Sequence, residues 1–394
     1  MSDDTNKEDT GKSAAPYDPQ VRRDTPLALK LKERIRNSGP ITVAEYMSAC
    51  LTDAEHGYYV KRQAIGAKGD FVTAPEISQV FGELIGLWSA VVWRQIGSPA
   101  RVQLVELGPG RGTMMRDGLR AARLVPGFLD AASLILVDVA PMDGLADAFA
   151  AFIPRDRIKL YKRIRDIPAD VPMILLANEF LDTCPLQQYV VENEHIAIRA
   201  VGLDANESLA FVLQQNCKAS ESRQTLAENP QLRDGDCYEA QDFSALHQVR
   251  TYRHAPWAGL FLDYGHYDPL RGNNTVIAAE TLQAVRSHAY EHPLTSPGEA
   301  DLTCQVNFNN VKRWLEQDLS EDVSPVAVDG PVTQAEFLGS LGIMERASRL
   351  MSANPHLANE IEMAVARLMA VPGMGDRFKV IGIRTPGLPP LPGL

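Results

Sequence analysis

The 394-residue chain predicts an α/β fold: a mostly parallel, doubly wound, Rossmann-like sheet of seven strands, with an N-terminal helical cap and lobes inserted between strands. Three observations carry this reading. Candidate strands at 102–106, 133–138, 157–160 and 172–178 are separated by helix-forming stretches, and the runs 134–137 and 171–177 are continuously apolar, as parallel strands covered on both faces should be. The first candidate strand ends in a turn with glycines at alternate positions, Gly108, Gly110 and Gly112. Such a turn opens a helix and lets backbone pass close to a ligand, because glycine lacks a Cβ and tolerates positive φ. Finally, Phe378 to Arg384 reads as a strand that returns beside an edge to complete the sheet.

The elements follow in order. Residues 1–24 are rich in Asp, Lys, Ser, Thr and Pro and read as a disordered tail. Residues 25–98 read as a helical region with a cofactor-covering loop, and 99–394 as the core. Leu27 to Asn37 has helical periodicity and is stopped by Ser38-Gly39-Pro40. Thr42 and Glu45 have capping-box spacing and start a second helix. The stretch Ile65 to Ser78 has no periodicity and many special residues, including Gly69, Asp70 and Thr73, and leads into a helix over Gln79 to Gln95. Long irregular loops of this kind commonly serve function, although a plain surface connection fits the pattern too. After Pro185 the pattern changes. Gln188 to Arg199 alternates like a hairpin, and insertions are expected at about 188–256 and 267–325, separated by a buried strand at Gly259 to His266. Phe308 to Leu319 reads as an amphipathic helix, and a further helix follows Gly330 to Gln334.

Composition narrows the function. With 39 basic and 50 acidic residues the net charge is −11, which gives no general footprint for nucleic acid and suits a basic peptide partner. Cys50, Cys184, Cys217, Cys237 and Cys304 are scattered, odd in number and without a Cys-x-x-Cys pair. A reducing compartment is expected, with neither a disulfide frame nor structural zinc. His288 and His292 lie four apart, but Pro293 beside them favours a loop, and no metal is expected. No window is apolar enough for a membrane span, and Met1 to Gln20 lacks the features of a signal or transit peptide. The expected setting is the bacterial cytoplasm.

The candidate site begins at Glu106, two residues before the first glycine. A dinucleotide fingerprint would put its third glycine at the position of Thr113; an acid followed by Gly108, Gly110 and Gly112 is instead the pattern of S-adenosylmethionine (SAM) sites, where the ligand carries no phosphate. Asp138 ends the second strand and is placed to accept hydrogen bonds from ribose hydroxyls; an Asp there also serves as a helix cap. Asn178, Glu179 and Asp182 follow the fourth candidate strand, whose end lies beside the first in a doubly wound sheet. Two carboxylates there could hold a guanidinium through charge-assisted hydrogen bonds, or Asn178-Glu179 could simply start a helix.

Taken together, the motifs resemble the MidA-like SAM-dependent methyltransferases. The resemblance rests on Gly69-Asp70-Phe71, Thr73 to Gln79, Phe81-Gly82-Glu83, Glu106 to Met114, Asn178 to Asp182, Asp263 to His266 and Gly298 to Thr303. It covers about residues 30–385, with Asp138 standing where the family usually carries Glu. It implies a class I methyltransferase fold, SAM as cofactor, and a protein arginine as substrate, since mitochondrial members methylate a core subunit of respiratory complex I during its assembly. The implied cofactor residues are Gly69, Asp70, Thr73, Glu106, Gly108, Gly110, Gly112, Asp138 and Asn178; the implied catalytic residues are Glu179, Asp182 and Asn178. A SAM-binding assembly protein and a small-molecule methyltransferase remain the alternatives, and a homodimer is compatible with either.

Overall fold

The computed structural model describes residues 17–61, 73–214, 219–250, 255–269, 278–316 and 324–394. The first helix, α1 (Pro26–Ser38), is capped by Thr25, whose hydroxyl accepts from the Ala28 amide, and buries Leu27, Leu31 and Ile35. Short strand β1 (Ile41–Thr42) leads into α2 (Val43–Thr52), which starts with the expected capping box between Thr42 and Glu45. Residues 17–24, within the expected tail, are anchored: Arg22 Nε donates to the Leu209 carbonyl at 3.0 Å and the Arg23 amide to the Thr295 carbonyl at 2.8 Å.

The core begins with α3 (Ala74–Ile77) and α4 (Gln79–Gln95). It continues through β2 (Val102–Leu107), α5 (Thr113–Ala122), α6 (Phe128–Ala131), β3 (Ala132–Val137), α7 (Leu145–Phe149), β4 (Ile158–Tyr161) and β5 (Met173–Asn178). Helices α4 and α5 cross with their backbones nearly touching. A Cβ on Gly86 would stand 2.2 Å from the Gly118 carbonyl oxygen, and one on Gly82 would stand 2.8 Å from that of Met114. Only glycine fits such a crossing. Glu83 is buried beside it and pairs with Arg120 at 3.1 Å and Arg346 at 2.7 Å, which neutralises a charge that would be costly alone.

The first insertion comprises β6 (Leu186–Glu192), β7 (His195–Leu203), β8 (Leu209–Gln214), α8 (Ala219–Glu228), β9 (Cys237–Gln241) and α9 (Ser244–Arg250). Its strands form an antiparallel sheet that also takes in β1. The chain re-enters the core as β10 (Trp257–His266), then builds a three-stranded sheet from β11 (Gln283–Arg286), β12 (Ala289–Glu291) and β13 (Asp301–Thr303). After β14 (Val306–Asn307) and α10 (Phe308–Glu316) come β15 (Ala327–Thr333), α11 (Gln334–Ser340), α12 (Ile343–Ala353), α13 (Ala358–Met369), α14 (Met374–Arg377) and β16 (Phe378–Arg384).

The main sheet runs β15-β16-β10-β5-β2-β3-β4, with β14 as an eighth strand on β10. From β10 to β4 the pairs are parallel; β16 is antiparallel to both its neighbours. The last strand is therefore interior rather than at an edge. Its composition explains why: Val380, Ile381 and Ile383 are wholly buried, and β15 takes the exposed border. One face is covered by α4, α5 and α11 to α13, the other by α9 and α10. A separate core joins α1 and α2 to β7, β11 and β13, so the N-terminal helices and both insertions form one accessory lobe.

Candidate active site

The carboxyl ends of β2, β3, β5 and β10 open onto a cavity of about 420 Å³, lined on its other side by residues of the accessory lobe and of the Thr73–Glu76 segment. This is where ligands bind in open parallel sheets. One wall is the glycine turn. Gly108 and Gly110 line it with φ of +63° and +53°, a region in which side chains are strained. The turn is fastened from outside: Glu76 Oε1 accepts from the Thr113 hydroxyl at 2.6 Å, and Arg111 stands 3.7 Å from the same carboxylate. Gly112 differs from the other two. It is the left-handed N-cap of α5 and turns away from the cavity, where a Cβ would meet Phe149 Cζ at 2.6 Å. Packing against Phe149 by itself requires glycine at this position.

Behind the turn, Glu106 is 3% exposed and its Oε2 has no hydrogen-bond partner among the described residues. Burial, with the charge of Asp138 added, pushes its pKa up to about 8. Asp138 also lines the cavity; burial raises its pKa, while amides of Ala140, Val139 and Gly110 oppose the shift. Its Oδ1 accepts from the Ala140 amide at 2.8 Å, so the capping role and a ligand-facing role coexist in one side chain. Lys162 Nζ donates to the Val139 and Ala140 carbonyls at 3.0 and 2.7 Å and holds this loop against β4.

The opposite wall is acidic. Asn178 ends β5, and Glu179 follows with φ of +49°, an unusual conformation for a side-chain-bearing residue and a common mark of functional sites. Glu179 Oε1 accepts weakly from the Ala74 amide at 3.4 Å and from Asn178 Nδ2 at 3.3 Å, and burial pushes its pKa up to about 7. Asn178 Oδ1 and Asp182 Oδ1 are buried without partners among the described residues. Asp182 is held well above the usual carboxylate range by burial first, then by the charges of Asp263, Glu179 and Asp301.

The sequence reading missed the residue that organises this wall. Asp263, on β10, is fully buried; its Oδ2 accepts from the amides of Phe180, Leu181 and Asp182 at 3.1, 2.7 and 3.1 Å, and its Oδ1 from the Tyr264 amide at 2.8 Å. Burial and Glu179 push its pKa up to about 8, against amides that favour the ionised form. Its strand-end position was the available signal, since β10 and β5 pair in parallel. Thr73 lines the cavity as the N-cap of α3. Gly69 and Asp70 lie outside the described residues. Arg163 and Ile164, after β4, also line the cavity and were not anticipated. Among the described residues no group of three or more His, Cys, Asp or Glu is arranged to hold a metal, and no helix is long and apolar enough to cross a membrane.

Residues 84–325 match the family model described as "Putative S-adenosyl-L-methionine-dependent methyltransferase". The chain belongs to this family. Among curated relatives, the mitochondrial protein arginine methyltransferase NDUFAF7 homologue of Drosophila melanogaster is 32% identical over 385 residues, 91% of this chain and 84% of that protein. The human NDUFAF7 protein is 30% identical over 387 residues, 91% and 83% of the two chains. A Burkholderia thailandensis structure with bound S-adenosyl-homocysteine superimposes with a TM-score of 0.78 at 24% identity, covering 93% of this chain and 94% of the other. A native structure from the same organism gives 0.75 at 23% identity, covering 94% of each chain. The chain is thus a SAM-dependent methyltransferase, and SAM is its cofactor. The residues present suit that ligand: orphaned buried acceptors at Glu106 and Asn178 face a cavity walled by glycine backbone and ended by Asp138.

Proposed function

We propose that this methyltransferase modifies an arginine side chain of a protein, with a respiratory complex I subunit as the foremost candidate. One observation carries the reading: the cavity that holds the glycine turn also holds Glu179 and Asp182, two buried carboxylates with no ion pair among the described residues, Asp182 keeping one oxygen without a hydrogen-bond partner there. Buried acids in that state call for a cationic guest. The names of the curated relatives, protein arginine methyltransferases, point the same way.

SAM, when bound, supplies an electrophilic methyl group. The chain's own residues do the rest. Glu106, Asp138 and Asn178 with the turn amides hold the cofactor. Glu179, fixed by its backbone conformation and the Ala74 amide, orients one guanidinium nitrogen and draws the cationic charge toward itself, which leaves a better nucleophile. The same carboxylate accepts the proton released as the nitrogen is alkylated. Asp182 compensates the remaining charge, and Asp263 keeps both acids in place by holding their loop.

The test is mass spectrometry of methylarginine on proteins from cells with and without the gene, together with transfer from labelled SAM into lysate of the deletion strain. Sites lost in the deletion and restored by purified protein support the reading. Label found only on lysine, on carboxylates or in the small-molecule fraction rejects it.

A further inference from the structure

Helix α3 has four residues, too few to hold a helical conformation by its own hydrogen bonds. Its N-cap, Thr73, makes no side-chain cap bond. The helix therefore stands where it does through ties to other elements, and two of these lead to opposite walls of the cavity. On the cofactor side, Glu76 Oε1 accepts from the Thr113 hydroxyl at 2.6 Å, and Thr113 opens α5 directly after the glycine turn. Arg111, within the turn, stands 3.7 Å from Glu76 Oε2. The Glu76 side chain is 27% exposed, so solvent screens these contacts only in part. On the acidic side, the Ala74 amide donates to Glu179 Oε1 at 3.4 Å. Ala74, Pro75 and Glu76 are consecutive, so one short rigid piece of backbone spans from the turn to the acid.

We propose that Glu76 is a positioning residue: by tying α3 to the cofactor turn through Thr113, it holds the Ala74 amide against Glu179 and so couples cofactor binding to the orientation of that acid. The inference rests on the role given to Glu179 above. Glu179 receives two long hydrogen bonds, from Ala74 and from Asn178 Nδ2 at 3.3 Å. The charged groups that face it among the described residues, Asp182 after β5 and Asp263 on β10, are both acids. Each donor therefore favours the ionised carboxylate against burial and against these neighbours. Once α3 drifts from the turn, Glu179 keeps only the Asn178 bond of the two, its ionised form is less favoured, and it is less firmly aimed at the substrate nitrogen. In the other direction the turn loses an anchor on its outer face, and bound cofactor leaves faster.

Two measurements on the full-length protein test this: release of radiolabelled S-adenosyl-homocysteine into a chase of unlabelled ligand, and the pH profile of methyl transfer from labelled SAM into lysate of the deletion strain. Glu76→Ala should release S-adenosyl-homocysteine about tenfold faster, since a hydrogen bond to a charged group is worth at least about one decade. Its transfer rate should fall severalfold at neutral pH, with the rise of the profile moved to higher pH and the rate recovering on the alkaline side. Glu76→Gln keeps an acceptor for Thr113 and should restore most of both. Thr113→Val removes the same bond from the other partner and should reproduce Glu76→Ala; it decides the matter alone where Glu76→Ala does not fold. The double variant should be no worse than either single one. A wild-type release rate in Glu76→Ala or Thr113→Val overturns the proposal. So does a transfer rate that falls equally at every pH, or additive losses in the double variant. Failure of the Glu179 reading has its own signature, full transfer by Glu179→Gln whatever the Glu76 variants return.

Discussion

The two walls of the cavity are built in opposite ways. The cofactor wall is local: Glu106, Gly108, Gly110 and Thr113 fall within eight consecutive residues, and its working groups are largely backbone. The acidic wall is assembled from four distant places, with Glu179 and Asp182 after β5, Asp263 on β10, Asp301 on β13 and Tyr59 after α2. Its working groups are side chains whose positions depend on partners elsewhere in the chain. A backbone-built wall tolerates little change at its glycines. A side-chain-built wall can be edited one charge at a time, and that contrast is open to test.

The largest effect should come from the cofactor wall. Gly110→Val places a β-branched side chain at φ +53° on the cavity surface, and SAM affinity should fall more than about 100-fold in calorimetry. Retained affinity would mean the ligand does not lie on this turn. On the acidic wall, Glu179→Gln keeps shape and removes charge, so kcat should drop roughly 10²-fold while SAM affinity stays within a few-fold. A matching loss of SAM affinity would erase the distinction between the walls. A smaller effect is expected of Asp138→Asn, which retains the Oδ1 bond to Ala140 and loses charge. Its SAM affinity should fall by about one to two decades, equivalent to roughly 1.5–3 kcal/mol, with little change in melting temperature. Unfolding of this variant would make Asp138 a structural cap alone.

The last comparison concerns pH. Glu106, Glu179 and Asp263 have pKa values raised to about 8, 7 and 8, so between their unfolded values and these the folded protein holds more protons than the unfolded chain. Stability of the ligand-free protein should therefore fall as pH rises from about 5 to 8, read as a falling melting temperature. Glu179→Gln should flatten part of that slope. For the same reason, kcat/KM should climb through about pH 7 as Glu179 ionises. A melting temperature that rises across this window would show the acids to be ionised and internally compensated without a guest.

Where short-range physics decides, the sequence is legible. The capping box at Thr42 and Glu45 forms as its spacing requires, the helix over Gln79–Gln95 has the expected ends, and the four parallel strands lie within a residue or so of the candidate strands. Helices α12 and α13 leave little trace in the sequence, because their apolar faces are narrow: Ile343 and Ala347 on one, Val365 and Leu368 on the other, are the buried positions. At Gly112 a glycine required by Phe149 is indistinguishable in sequence from one required by a ligand.

Local sequence alone determined the strand–turn–helix that builds the cofactor wall and the acids at the strand ends, since neighbours along the chain settle backbone conformation and burial pattern. Tertiary structure decided the rest. The interior slot of β16, the amides of Phe180, Leu181 and Asp182 gathered by Asp263 and the meeting of Tyr59 with Asp301 each join segments far apart in the chain. Such contacts exist only once packing has selected one arrangement, and no spacing along the sequence encodes them.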